Sequence, residues 1–283
     1  MYVAPQIHLN DGNRIPVIGL GLYQADASPS TIRLVKSAVH EGYRLFDTAE
    51  LYGNEYETGQ GLMTSRLPRQ QLFITTKLYT TAGGRRKVLQ SFEQSLHRLM
   101  TNYIDLYLIH APQGGHVLEA YDTLLELQSY GKIRSVGVSN FGVEHLEVLR
   151  QSGRSLPAVN QIELHPFMQQ RPIVDYCHRF GITLMAYSPL ARGSALRDPF
   201  ITRLARKYRR TPAQILLRWS LQNNFIPIPK TNHFNRLREN FQVFDFQLSH
   251  QDMRNLTNYG YQRQAHSGWD PTNNDWNQFG PTY

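Results

Sequence analysis

Asp47, Tyr52, Lys77 and His110 are the residues of this chain whose types could together deliver a proton to a carbonyl oxygen. A free tyrosine titrates at about 10, too high to exchange protons easily near neutrality. A neighbouring ammonium, Lys77, would favour the phenolate and bring that value down, and Asp47 would hold Lys77 charged and in place. His110 could then hydrogen-bond a substrate oxygen. Such a set suits protonation of the alkoxide that develops as hydride arrives at a carbonyl carbon. No acyl-transfer nucleophile stands beside it. Each member also has a plain structural reading: Asp47 with Lys77 as an ion pair, Tyr52 as a packed aromatic, His110 as a core histidine. Their common placement after apolar runs, with Ser139 and Asn140 after the next run, favours function.

These residues need elements that bring them together. Eight runs rich in Val, Ile and aromatic residues recur along the chain: 17–23, 45–48, 72–78, 104–111, 133–139, 159–164, 183–188 and 225–230. Most begin about 25 to 30 residues after the previous one, the length of a strand, a crossover helix and two loops. Helical patterns fill the gaps at 31–40, 88–99, 117–130, 143–150 and 172–180, and Thr211-Pro212-Ala213-Gln214 reads as the capped start of another. Ser249 to Asp252 is a second capping box. A short hairpin, 6–9 with 14–18 around Asn10-Asp11-Gly12-Asn13, precedes them. The pattern predicts a single (β/α)8 TIM barrel, with a doubly wound sheet as the alternative. No linker divides the 283 residues, so one domain over 1–283 is expected, ending in an irregular tail from about 260 that carries Trp269 and Trp276. In a barrel the C-terminal strand ends converge on one mouth.

Composition narrows the chemistry further. The chain is 41% hydrophobic and 18% charged, enough apolar residue to bury a large core without disulfides. Its formal charge of +8 could serve nucleic acid, an anionic membrane or phosphate-bearing small molecules. The basic residues are scattered apart from Arg85-Arg86-Lys87 and a stretch from Arg203 to Arg210, both read as solvated helix faces. Cys177 is the single cysteine, which suits a reduced, cytoplasmic location. Neither a secretory leader nor a membrane-length apolar run is present in the sequence. Gly19-Leu20-Gly21 invites a dinucleotide-fold reading, but the third glycine position holds Gln24 and no helix opens there. Phosphate-loop, metalloprotease and nucleophile-elbow signatures are missing, and His110 with His116 lacks a third ligand, so no metal is expected.

With these residues in hand, the sequence resembles the aldo-keto reductases over nearly its whole length. The segments that carry the likeness are 19–23, 47–49 with 52–55, 75–78, 105–110, 131–141 and 228–231, in that order. The resemblance places the family's catalytic Asp, Tyr, Lys and His on Asp47, Tyr52, Lys77 and His110, with Tyr52 as general acid. It implies an NADP(H) site in which Gly21, Leu22 and Tyr23 meet the cofactor and Ser139, Asn140 and Gln161 hold the carboxamide. Tyr187 would stack on the nicotinamide, and Ser188 and Leu190 would lie along the pyrophosphate. Lys230, Thr231 and Arg236 match positions that grip the adenosine 2′-phosphate, with Glu239 and Asn240 near the adenine; two cations there favour NADP(H) over NAD. Leu22 stands where a Thr is common, and Ala111 where a Trp often follows the histidine, which should enlarge the pocket. Tyr23, Tyr79, His110, Ala111 and Trp269 are the expected substrate contacts, suited to apolar or aromatic carbonyl compounds.

The expected partner is therefore a small carbonyl substrate, with neither nucleic acid nor membrane, acting on a monomer. Two other readings compete. A cofactor-binding regulatory subunit resembling the potassium-channel β subunits would share the barrel; the hairpin beginning close to Met1 leaves no extension to act on a channel. An aldolase would use Lys77 as a Schiff-base nucleophile, against which Asp47 argues by keeping the amine charged.

Overall fold

The computed structural model describes residues 2–264 and Thr272. Strands β1 (Gln6–His8) and β2 (Arg14–Pro16) pair antiparallel, Ile7 facing Ile15. Gly12 supplies the positive φ of their turn, +85°. Eight parallel strands follow in chain order: β3 (Gly19–Gly21), β4 (Leu45–Asp47), β5 (Phe73–Leu78), β6 (Ile104–Ile109), β7 (Ile133–Ser139), β8 (Val159–Glu163), β9 (Thr183–Tyr187) and β10 (Ile226–Pro227). Each of the eight predicted runs contains one of them. A parallel bridge between Gly21 and Lys230 joins first to last, with the Gly21 N–H donating to Pro229 O at 3.2 Å. A Cβ on Gly21 would stand 2.6 Å from the Ile228 carbonyl oxygen, so closure at this seam requires glycine. The TIM-barrel reading holds, with the hairpin before it.

Ten α-helices are present among the described residues: α1 (Pro29–Glu41), α2 (Glu55–Thr64), α3 (Gly84–Leu99), α4 (Val117–Ser129), α5 (Val143–Gln151), α6 (Arg171–Arg179), α7 (Pro199–Tyr208), α8 (Pro212–Gln222), α9 (Phe234–Phe241) and α10 (His250–Tyr261). Thr211 and Gln214 cap α8 reciprocally, as their spacing predicts, and the Ser249 hydroxyl accepts from the Asp252 N–H at the start of α10. Helix α2 escaped the sequence reading because Gly59 and Gly61 dilute its pattern. Both glycines serve packing: a Cβ at Gly59 would meet the Leu99 backbone at 2.7 Å and one at Gly61 the Val35 side chain at 2.6 Å. The basic stretch of α7 and beyond is a solvated face, where Lys207 pairs with Asp252 and Arg210 with Asp245. Helix α10 ends at Tyr261, and Gly260 within it packs against the Pro166 carbonyl. Trp269 and Trp276 lie outside the described residues; Thr272 is buried, its carbonyl against Gly142.

Strand alternation sorts the core into two layers. Leu20, Phe46, Ile74, Tyr107, Ile109, Val136, Val138, Ile162, Leu184 and Ala186 face the helices. Residues of the other parity, Leu45, Phe73, Leu106, Leu108, Val159, Met185, Ile226 and Ile228, fill the barrel interior, and Leu9 and Ile15 of the hairpin pack onto them from below. Continuing the inward parity to the C-terminal end of each strand gives Gly21, Asp47, Lys77, His110, Ser139, Gln161, Tyr187 and Lys230. Every strand thus contributes one residue to the mouth, and the apolar layer beneath fixes its direction.

Candidate active site

Lys77 is wholly buried at the floor of the mouth. Its Nζ donates to Asp47 Oδ1 at 2.6 Å, to the Thr48 carbonyl at 2.9 Å and to the Tyr52 hydroxyl at 3.2 Å. An ammonium has three N–H donors, and all three find acceptors, so the charged form is the one this geometry fits. Burial pushes Asp47 up and Lys77 down from their ordinary values, and their mutual attraction and hydrogen bond oppose both shifts. An amine engaged in this way is not a free Schiff-base nucleophile.

Tyr52 ends a single 3-10 turn, Glu50–Tyr52, between β4 and α2. Its ring lies edge-on to His110, centroids 5.6 Å apart, and tilted against Tyr23 at 5.1 Å. The expectation that Lys77 lowers the Tyr52 pKa is overturned. Burial, and after it the charges of Asp47, Tyr187 and Tyr23, hold the phenol well above its ordinary value. His110 is buried, and desolvation together with the Lys77 charge pushes it down to about 3. Its Nδ1 is sealed from solvent and has no hydrogen-bond partner among the described residues.

A cavity of about 490 Å³ opens above these groups. Gly21, Tyr23, Asp47, Tyr52, His110, Ser139, Asn140, Gln161, Tyr187, Ser188, Leu190, Lys230 and Arg236 all line it. Their polar groups form one network: Gln161 Nε2 donates to Asp47 Oδ2 at 2.7 Å, Ser139 Oγ to the Gln161 carbonyl at 2.9 Å, and the Tyr187 hydroxyl to Asn140 Oδ1 at 2.9 Å. Asn140 and Ser188, each just past a strand end, have φ of +61° and +47°, a backbone cost borne where the chain turns out of the sheet. Lys230 and Arg236 have no ion-pair partner among the described residues, and burial moves Lys230 down despite nearby Asp26.

The aldo/keto reductase family model matches residues 17–259 of this chain. The chain belongs to the aldo/keto reductase family. An aldo-keto reductase of Mycolicibacterium smegmatis is 44% identical over 90% of this chain and 93% of its own length. Glyoxal reductase of Bacillus subtilis is 41% identical over 87% and 90%. Among solved structures, a Bombyx mori aldo-keto reductase in complex with NADP superposes with a TM-score of 0.87 at 34% identity, over 96% of this chain and 100% of that one.

Several positions carried over from the aldo-keto reductase likeness stand outside the cavity wall. Leu22 follows the inward Gly21 and packs in the helix-side core, and Ala111, past the end of β6, is buried too. The Leu22 N–H donates to the Asp47 carbonyl, so the residue supports the site through its backbone. Tyr79 is exposed past the end of β5, with its N–H on Glu50 Oε2 at 3.2 Å. Thr231 turns its hydroxyl to the His233 backbone, Glu239 accepts from the Thr211 hydroxyl at 2.7 Å, and Asn240 is buried. Trp269 lies outside the described residues. The sequence reading missed Leu51, Arg192 and Leu196 on the wall, and also Glu55 and Asn54 behind it. Asn54 donates to the Leu22 and Ala25 carbonyls and accepts from Thr48, while Glu55 binds Thr76 and Arg98. A buried carboxylate with a partner far along the chain has no local sequence signal.

Proposed function

We propose that this aldo/keto reductase is an NADP(H)-dependent reductase of aldehydes and ketones, with Tyr52 as the proton donor. The observation that carries the reading is the Tyr52 hydroxyl held by Lys77 on the floor of a cavity whose other wall bears amides and two unpaired cations. The residues present fit the cofactor. Lys230 and Arg236 lack carboxylates and so offer charge to an anionic group, Ser139, Asn140 and Gln161 offer amide-binding atoms, and the half-buried Tyr187 ring offers a stacking face. The NADP-bound Bombyx mori neighbour supports that choice. The bound nicotinamide would supply hydride to the carbonyl carbon.

Everything else falls to the chain. The proton of Tyr52 passes to the substrate oxygen, and the phenolate left behind keeps the Lys77 hydrogen bond. That bond strengthens as the oxygen becomes anionic, which is when stabilisation accelerates the step. His110, neutral at physiological pH, donates from Nε2 to the same substrate oxygen in the tautomer that leaves the sealed Nδ1 unprotonated. Tyr23 and Leu51 give the substrate side an apolar wall. We read the substrate as a small neutral or aromatic carbonyl compound, and glyoxal reductase among the relatives supports carbonyl reduction. Cys177 is buried, and burial pushes its thiol up to about 12, so it takes no part. A monomer in the cytoplasm is the setting we assign.

The test is NADPH oxidation against a panel of aliphatic, aromatic, sugar and steroid carbonyls that includes glyoxal. Consumption tied to stoichiometric alcohol formation is expected with at least one class. An absence of consumption across the panel, with NADPH bound, would reject the reading in favour of a binding module.

A further inference from the structure

The end of the barrel opposite the mouth carries a second cavity, of about 170 Å³, beneath the hairpin. Its wall includes Gln6 and Arg14 of the hairpin, Arg44 just before β4, and Asp105 and Arg134 at the starts of β6 and β7. Charge does not balance there. Asp105 is the one carboxylate on the wall, and it is already engaged: Oδ2 receives Arg69 Nη2 at 2.7 Å and the Ile74 N–H at 3.0 Å, and Oδ1 faces Arg134 Nε at 3.8 Å. Arg14 and Arg44 have no carboxylate within ion-pair distance among the described residues.

Arg44 is the informative member, because it is only 8% exposed. Its Nη1 donates to the Val39 and Tyr43 carbonyls at 3.0 and 2.8 Å, which caps the end of α1. Nε and Nη2 have no protein acceptor among the described residues, and neither is sealed from solvent. A guanidinium taken out of bulk water without a counter-charge is costly, and its planar fork matches the oxygens of an oxyanion. Burial lowers the Arg44 pKa with no carboxylate opposing it.

We propose that this cavity is an oxyanion site, in which Arg44 and Arg14 hold one phosphate group, either free phosphate or the head of a small phosphomonoester, and tie the hairpin to the barrel base. A tetrahedral anion fits the volume, and Arg14 would reach it from the hairpin while Arg44 stays fixed by α1. The site shares no residue with the carbonyl-reducing mouth, so it stands or falls independently of the proposed activity.

Calorimetric titration of the full chain with inorganic phosphate, against chloride at matched ionic strength, tests this. The Arg14 side chain is exposed and bonds no other residue among those described, so Arg14→Gln should fold normally and weaken phosphate binding by about tenfold, the loss of one charge-assisted contact. Arg44→Gln should weaken it further, and Arg254→Gln, on the exposed face of α10, should leave it within about twofold. Phosphate should also raise the melting temperature of the native chain more than that of Arg14→Gln. Glycerol phosphate binding as well as inorganic phosphate assigns the site to a phosphomonoester head; much weaker binding assigns it to the free ion. Binding unchanged in Arg14→Gln, lost in Arg254→Gln, or absent from the native chain overturns the proposal.

Discussion

Gln161 Nε2 donates to Asp47 Oδ2 across 2.7 Å, from β8 to β4 on opposite sides of the barrel. The proposed cofactor-amide residue is therefore bonded to the carboxylate that anchors Lys77, which in turn holds Tyr52. The groups proposed for binding and for proton transfer share one hydrogen-bonded network, so a change in either set is felt by the other.

Tyr52→Phe removes the proposed proton donor and keeps the ring contacts with Tyr23 and His110. Carbonyl reduction should fall by about 10²- to 10⁴-fold, the usual worth of a general acid. NADPH binding, followed by quenching of protein fluorescence, should be unchanged. Turnover at the native rate would remove Tyr52 from the role.

Lys77→Met leaves the Asp47 carboxylate buried with Gln161 as its remaining side-chain partner. Stranding one half of a buried pair costs about 3 to 5 kcal/mol, whereas replacing both halves by neutral groups costs far less. Urea denaturation should therefore rank the double variant Asp47→Asn/Lys77→Met above Lys77→Met alone. The reverse order would mean that the pair contributes to folding as a unit in some other way.

His110 gives stability a pH dependence whose sign follows from its depressed value. The folded imidazole takes a proton only near 3, the unfolded one near 6.5. Its contribution is complete above 6.5 and is lost as pH falls toward 3, because the unfolded chain then binds the extra proton. At pH 5 the loss is about 2 kcal/mol. His110→Gln should lose that much less stability than the native chain between pH 7 and 5; parallel curves would contradict the shift.

Arg236→Ala should weaken NADPH by about 10- to 100-fold, the worth of a charge-assisted contact to a phosphate, and NADH by little. Equilibrium titration of the two cofactors separates these effects. Equal losses for both would place Arg236 away from the 2′-phosphate.

The sequence by itself determined the eight strands and, through their period of two, which residues face inward. Asp47, Lys77, His110 and Ser139 were legible as polar ends of apolar strands, and each continues the parity of the residues that fill the barrel, whereas Gln161 came only from the family likeness. The same parity explains why Leu22, one step past Gly21, turns to the helix layer. Tertiary structure decided the rest. Closure depends on the Gly21–Lys230 bridge between the first and last strands, and only a closed ring brings Asp47 within reach of Gln161. The state of Tyr52 could not be read from a list of neighbours, because whether an ammonium or a carboxylate dominates its field is set by distance and burial. Residue type and period are local properties of a chain, whereas desolvation and charge balance arise only when its distant parts are packed together.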